Sequence, residues 1–199
     1  MAFDFLEIDP NKPGFRHVRP VTIDQLQNQK AQGCVGVVLG SKNDWPKVIA
    51  GAQMLERLEI EAEVAICSAH RTPGVMAEYA SRASIRGLKI IIAVAGGSAH
   101  LPAMTAAFAD GVVVLGVGVT SASFGPMDVI GSNVRLPSFA PAPLVGLDRA
   151  GAINAAMTAG NILAVSDTEL RERLKAFQEM VRNSVRADVA FENEGENDE

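Results

Sequence analysis

The stretch Ser68-Ala69-His70-Arg71-Thr72 sets a group that can give and take a proton beside a group that can clamp an anion. An imidazole next to a guanidinium suits proton shuttling near neutral pH, and the guanidinium suits a phosphate or carboxylate through paired hydrogen bonds. Two other polar stretches offer complementary chemistry. Gly40-Ser41-Lys42-Asn43-Asp44 presents backbone N–H groups and a hydroxyl at a helix start, where a phosphate is the usual occupant. Ala95-Gly96-Gly97-Ser98-Ala99-His100 presents small residues that let a ligand approach the backbone, with amides able to hold developing negative charge. Each stretch also has a plainer reading. A Gly-Ser turn with an Asp cap is a common strand-to-helix connection, Ser68 can cap a helix among solvated charges, and His100 is either a ligand contact or a cap. His17 stands apart from these loops and reads as solvated.

Several chemistries are excluded by what the motifs lack. Neither a GxGxxG fingerprint nor a P-loop is present, so dinucleotide and ATP sites lose ground. Asp44, Asp128, His70 and His100 are not spaced as ligands on one element, and no metal is expected. No Ser-His-Asp order or nucleophile elbow occurs. What remains is a cofactor-free site with one mobile proton, an anion clamp and a wall of small residues.

Each loop directly follows an apolar run, and these runs are the elements that must position the chemistry. Residues 34–39, 62–67, 89–95, 112–119 and 143–147 read as strands, the fourth so uniformly apolar that it must be covered on both faces. Between them lie helical stripes: Trp45, Val48, Ile49, Ala52 and Leu55 after Asp44, then Met76, Tyr79, Ala80 and Ala83 between Pro73 and Gly87. Further helices are predicted over 99–109, 127–133, 149–164 and 167–186. Strands separated by helices give a parallel sheet with right-handed crossovers. The predicted fold is therefore α/β: a three-layer open parallel sheet of about five strands, flavodoxin-like, with an extra C-terminal helix. In such a sheet ligands bind beyond the carboxyl ends of the strands, where all three loops fall.

Residues 1–33 lack a sustained period and contain Pro10, Pro13 and Pro20, so they read as an arm with one short helix near 22–32. Residues 34–187 form the α/β domain, and 188–199 an acidic disordered tail. The net charge of −5 comes from that tail, which holds six carboxylates and no cation; the rest of the 199-residue chain sums to +1. A near-neutral domain argues against a nucleic-acid surface. Cys34 and Cys67 sit in apolar runs with no CxxC spacing, no apolar stretch reaches the roughly 20 residues of a membrane span, and the chain reads as cytoplasmic. The final helix carries an apolar stripe of Leu170, Leu174, Phe177, Val181 and Val185, to be buried on its own domain or on another subunit.

Gly40-Ser-Lys-Asn-Asp-Trp45, Ser68-Ala-His-Arg-Thr-Pro73 and Ala95-Gly-Gly-Ser-Ala-His-Leu-Pro102, in this order and spacing, resemble the N5-carboxyaminoimidazole ribonucleotide mutase family of purine biosynthesis, commonly called PurE. The likeness continues through Gly116, Asp128, Pro137, Pro141 and residues 150–156, covering about 34–185. It implies interconversion of N5-carboxyaminoimidazole ribonucleotide and 4-carboxy-5-aminoimidazole ribonucleotide, an isomerase reaction needing no cofactor. It also implies His70 as the acid/base, and Ser41, Asp44 and Arg71 on the ribose-phosphate, assisted by Ser68. Gly96, Gly97, Ser98, His100 and Leu101 would then line the carboxylate or CO2 pocket. Asn43 takes the place of a frequent serine in the substrate-binding set. Family members are homo-octamers in which the C-terminal helix reaches a neighbour, which would cover the stripe from Leu170. Residues 120–127 and 138–142 depart from the usual mutase segments. That departure supports one alternative, a CO2-dependent aminoimidazole ribonucleotide carboxylase or a related nucleotide carboxylase; a non-catalytic nucleotide-binding module is a further alternative.

Overall fold

Apolar runs without alternation need cover on both faces, and a parallel sheet between two helical layers provides it. The computed structural model describes residues 15–22, 25, 30–121 and 125–194, with side chains through residue 185. Its strands are β1 (Val18–Pro20), β2 (Val35–Leu39), β3 (Ala62–Ile66), β4 (Ile90–Gly96), β5 (Val113–Val119) and β6 (Leu144–Leu147). The helices are α1 (Trp45–Arg57), α2 (Pro73–Arg86), α3 (Leu101–Phe108), α4 (Met127–Val134), α5 (Asp148–Leu163) and α6 (Thr168–Glu194). All neighbouring strands are parallel, in the order β1-β3-β2-β4-β5-β6, with helices on both sides. The chain steps from β2 out to β3, then returns across β2 to β4. Strand order thus reverses between β2 and β4, which opens a crevice at their carboxyl ends.

The sheet has six strands where the sequence predicts about five, because part of the arm joins it. Val18 pairs with Ala62 and Pro20 with Val64, and Val18 and Val21 are buried. A three-residue strand is too short to show a period of two, and its proline is tolerated only because β1 is an edge. His17, expected to be solvated, is half-buried instead: its Nδ1 lies 2.7 Å from the Glu61 carboxylate and its carbonyl accepts the Ala62 N–H at 2.8 Å. Most of the helix predicted near 22–32 lies outside the described residues. At the other end α6 runs through Glu194, past the predicted stop at 186, so residues 188–194 are helical where a disordered tail was expected. Residues 186–194 hold neither glycine nor proline, and nothing stops the helix before Gly195. Residues 195–199 lie outside the described residues.

Behind β3 sits a buried charged pair that fixes the strand leading into the histidine loop. Glu63 is fully buried and receives both Arg86 guanidinium nitrogens at 2.8 Å, a bidentate pair, while the Tyr79 ring lies 5.5 Å from that guanidinium carbon. The Gln32 amide donates to the same carboxylate at 3.1 Å. Gly36 on β2 makes room for this group, since a Cβ there would fall 2.2 Å from the Tyr79 hydroxyl.

The chain packs as two units, residues 1–159 and 160–199. In the second, the Asp167 carboxylate caps the Leu170 N–H at 2.9 Å and Arg171 donates to the Ala164 and Val165 carbonyls. The stripe of α6 divides: Leu170 and Leu174 are buried, Phe177 is half-buried, and Val181 and Val185 are exposed.

Candidate active site

After β2 the chain turns at Gly40-Ser41 into a short 3-10 turn, Lys42–Asp44, and then α1. The Ser41 hydroxyl accepts the Asn43 N–H at 3.2 Å and the Ser41 carbonyl accepts the Asp44 N–H at 3.1 Å, so the loop is closed on itself. Asp44 is half-buried. Burial pushes its carboxyl above the ordinary 3.8, against the opposing pull of the Ser41 backbone, Lys47 and Arg71.

After β3, Cys67 is buried and its thiol is pushed up to about 12 by that burial and then by Glu63, which suits it to packing and not to nucleophilic attack. Ser68 then ties the histidine loop. Its N–H donates to the Thr72 hydroxyl at 3.0 Å, its carbonyl accepts the Thr72 N–H at 3.0 Å, and its hydroxyl accepts the Arg71 N–H at 3.2 Å. Arg71 reaches back to the first loop, donating through Nη2 to the Gly40 carbonyl at 2.7 Å. That bond holds the guanidinium between two loops before any ligand arrives.

After β4, Gly97 adopts a left-handed φ of 63°, a turn that glycine makes without strain. The Ala99 N–H is taken by the Ser132 hydroxyl of α4 at 3.2 Å, which anchors the loop before α3. His100 stands at the start of α3 but its side chain caps nothing. It turns to His70 instead: His100 Nδ1 and His70 Nε2 are 2.9 Å apart, with the rings edge-on and their centroids 5.0 Å apart. That contact joins the third loop to the histidine loop.

These loops surround a cavity of about 520 Å³. Of the residues singled out in the sequence, Ser41, Asn43, Asp44, Ser68, His70, Arg71, Gly96, Gly97, Ser98 and Leu101 all line it. His100 does not; its side chain meets the site through His70, and its N–H donates to the Ser98 carbonyl at 2.8 Å. A second hollow of about 350 Å³ shares Ser41, Asn43, Ser68 and Arg71 and adds Lys42, Ile66 and Thr72. The sequence reading missed Lys47 and Val119 in the cavity wall, and it marked Thr120 and Ser121 only as part of the departing segment 120–127, not as site residues. Lys47 lies one helical turn beyond Asp44, and Thr120 follows the carboxyl end of β5, so the rule that located the other loops applied to them as well. Among the described residues, no three His, Cys, Asp or Glu side chains gather to hold a metal ion.

An open parallel sheet with a proton carrier, an anion clamp and a small-residue wall at its switch point is a site for a small anionic ligand of nucleotide type. The chain belongs to the AIR carboxylase family, whose model matches residues 34–184. It is 44% identical over 153 residues to the N5-carboxyaminoimidazole ribonucleotide mutase of Vibrio vulnificus, covering 77% of this chain and 94% of that protein. The mutase of Bacillus subtilis is 40% identical over 154 residues, with 77% and 94% covered. Among solved structures, Treponema denticola PurE superposes with a TM-score of 0.69 at 26% identity, covering 78% of this chain and 96% of that one.

Proposed function

We propose that this protein is an isomerase that interconverts N5-carboxyaminoimidazole ribonucleotide and 4-carboxy-5-aminoimidazole ribonucleotide. The observation that carries the reading is the convergence on one cavity of His70, Arg71, Ser41 and the Gly96-Gly97-Ser98 turn, in a chain whose relatives at 40–44% identity are named as this mutase. His70 protonates the carbamate nitrogen, the N–C bond breaks, and CO2 is released. The enamine-like C4 of the aminoimidazole then attacks the CO2 carbon. His70 removes the C4 proton and restores the aromatic ring, so that one proton is lent and recovered. Arg71, Ser41 and Asn43 hold the phosphate end, with Asp44 on the ribose and Ser68 fixing the guanidinium. The amides of Gly96, Gly97 and Ser98, with Leu101, enclose the carboxylate and the CO2. His100 orients the His70 ring through their 2.9 Å contact.

We place the protein in the cytoplasm as a homo-octamer acting on this small molecule and not on nucleic acid. Cys34 and Cys67, which form no disulfide, and the exposed half of the α6 stripe support that placement. Among the described residues no helix is long and apolar enough to cross a membrane.

The test is direct. Purified protein given either carboxylated ribonucleotide, without ATP or added bicarbonate, is expected to form the other. His70→Asn should lower the rate by roughly 10²–10⁴-fold, the range of a lost general acid/base, with ligand affinity by calorimetry within a few-fold of wild type. A requirement for bicarbonate and the uncarboxylated ribonucleotide would make it a carboxylase, and tight binding without turnover a binding module.

A further inference from the structure

At one end of the cavity the sheet runs out and a side chain takes over from the backbone. The β5–β6 pairing reaches Gly118 and Leu147. The next residue, Asp148, swings to a left-handed φ of 48° to begin α5. Its carboxylate then serves the chain beyond β5, accepting the Thr120 N–H at 3.0 Å and the Thr120 hydroxyl at 2.6 Å. The Thr120 carbonyl in turn accepts Lys47 Nζ from the first turn of α1 at 2.6 Å. Asp148, Thr120 and Lys47 thus form a strut from the β5 side of the cavity to the α1 side. Lys47 and Thr120 line the cavity and Asp148 stands behind them. Glycine would make the turn at 148 without strain, and an aspartate held there points to a task for its carboxylate.

The opposite side is tied by Arg71 to the Gly40 carbonyl, at the end of β2. Strands β2 and β5 are two spacings apart, so the ties stand roughly 10 Å from each other along the sheet edge. Released CO2 is neutral and offers little to clamp; only walls held in place keep it beside C4. We propose that Lys47 and Asp148 are positioning residues that, through Thr120, hold the β5 side of the cavity closed during the reaction. This rests on the mutase reading above.

The experiment measures how each turnover of N5-carboxyaminoimidazole ribonucleotide divides between its isomer and the uncarboxylated ribonucleotide, corrected for spontaneous decarboxylation in buffer. Asp148→Gly keeps the turn and deletes the carboxylate, whereas Lys47→Met keeps the stem and deletes the ammonium. Each is expected to raise the uncarboxylated fraction at least threefold. The double variant should be no leakier than the worse single, because both act through Thr120, and Lys47→Arg should restore retention by donating to the same carbonyl. Should Asp148→Gly fail to fold, the exposed Lys47 and its arginine rescue carry the test. Single variants that divide as wild type does, or a double variant whose leak is the product of the two, overturn the strut. If wild type binds 4-carboxy-5-aminoimidazole ribonucleotide without isomerising, the mutase reading fails alone. The strut is then read from calorimetric affinity for that ribonucleotide, where the same non-additive weakening supports it and unchanged affinity overturns it. Wild type that binds neither ribonucleotide sinks both.

Discussion

Asp44 shows how a single side chain can work against stability for the sake of a site. Burial holds its carboxyl above the ordinary 3.8 even though the Ser41 backbone, Lys47 and Arg71 all favour the charged form. The folded protein therefore keeps this proton to a higher pH than the unfolded chain does. The stabilising contribution is fully present below about 3.8 and is lost as pH rises through the raised folded value, which leaves a buried charge as a standing penalty at neutrality. Asp44→Asn is expected to raise the melting temperature at pH 7, with the gain shrinking as pH falls to 4, while ribonucleotide binding weakens. The Asp44 side chain makes no helix-cap bond that the substitution would remove. Melting scans across that range check the sign, and a difference independent of pH would count against it.

At the scale of elements, the histidine loop depends on a strand whose underside is charged. Glu63 and Arg86 are both buried, so deleting Arg86 leaves the Glu63 carboxylate without its counter-charge. Arg86→Met is expected to destabilise the protein by about 3–5 kcal/mol, measured by denaturant unfolding, with KM at permissive temperature close to wild type. Adding Glu63→Gln should recover part of that loss, because the stranded carboxylate is then neutral; a double variant as unstable as Arg86→Met would contradict the account. None of this pairing could be read from the sequence, in which Glu63 interrupts an apolar strand and Gly36 looks like a weak point. The loops after β2, β3 and β4 were legible because each ends an apolar run with Gly, Ser or His, the first two beside charges. The wall after β5 was legible only as a segment, 120–127, that departs from the family pattern: Thr120 and Ser121 carry no charge, and Lys47 reads as the wet face of a helix. β1 was too short to register, and α6 outran its expected end because its acidic composition suggested a tail although its residues are compatible with helix.

At the scale of the whole molecule, the distribution of apolar surface along α6 bears on assembly. Leu170 and Leu174 are buried within the single chain, at 2% and 4% exposure, while Val181 and Val185 are 44% and 57% exposed on the same stripe. A helix that ended its work at Leu174 would have no use for apolar residues at 181 and 185. In the proposed octamer, burial against a neighbouring copy would give them one, at about 1.5–3 kcal/mol per fully buried valine, and repetition across the copies would multiply the effect. Val181→Asp with Val185→Asp places two carboxylates in each such contact without touching the cavity or the buried half of the helix. Light scattering is expected to show the proposed octamer reduced to smaller species, with helical circular dichroism retained because the backbone hydrogen bonds of α6 do not depend on those side chains. A mass that stays at eight copies would mean that the exposed valines face solvent in the assembly, and that contacts elsewhere on the chain hold it together.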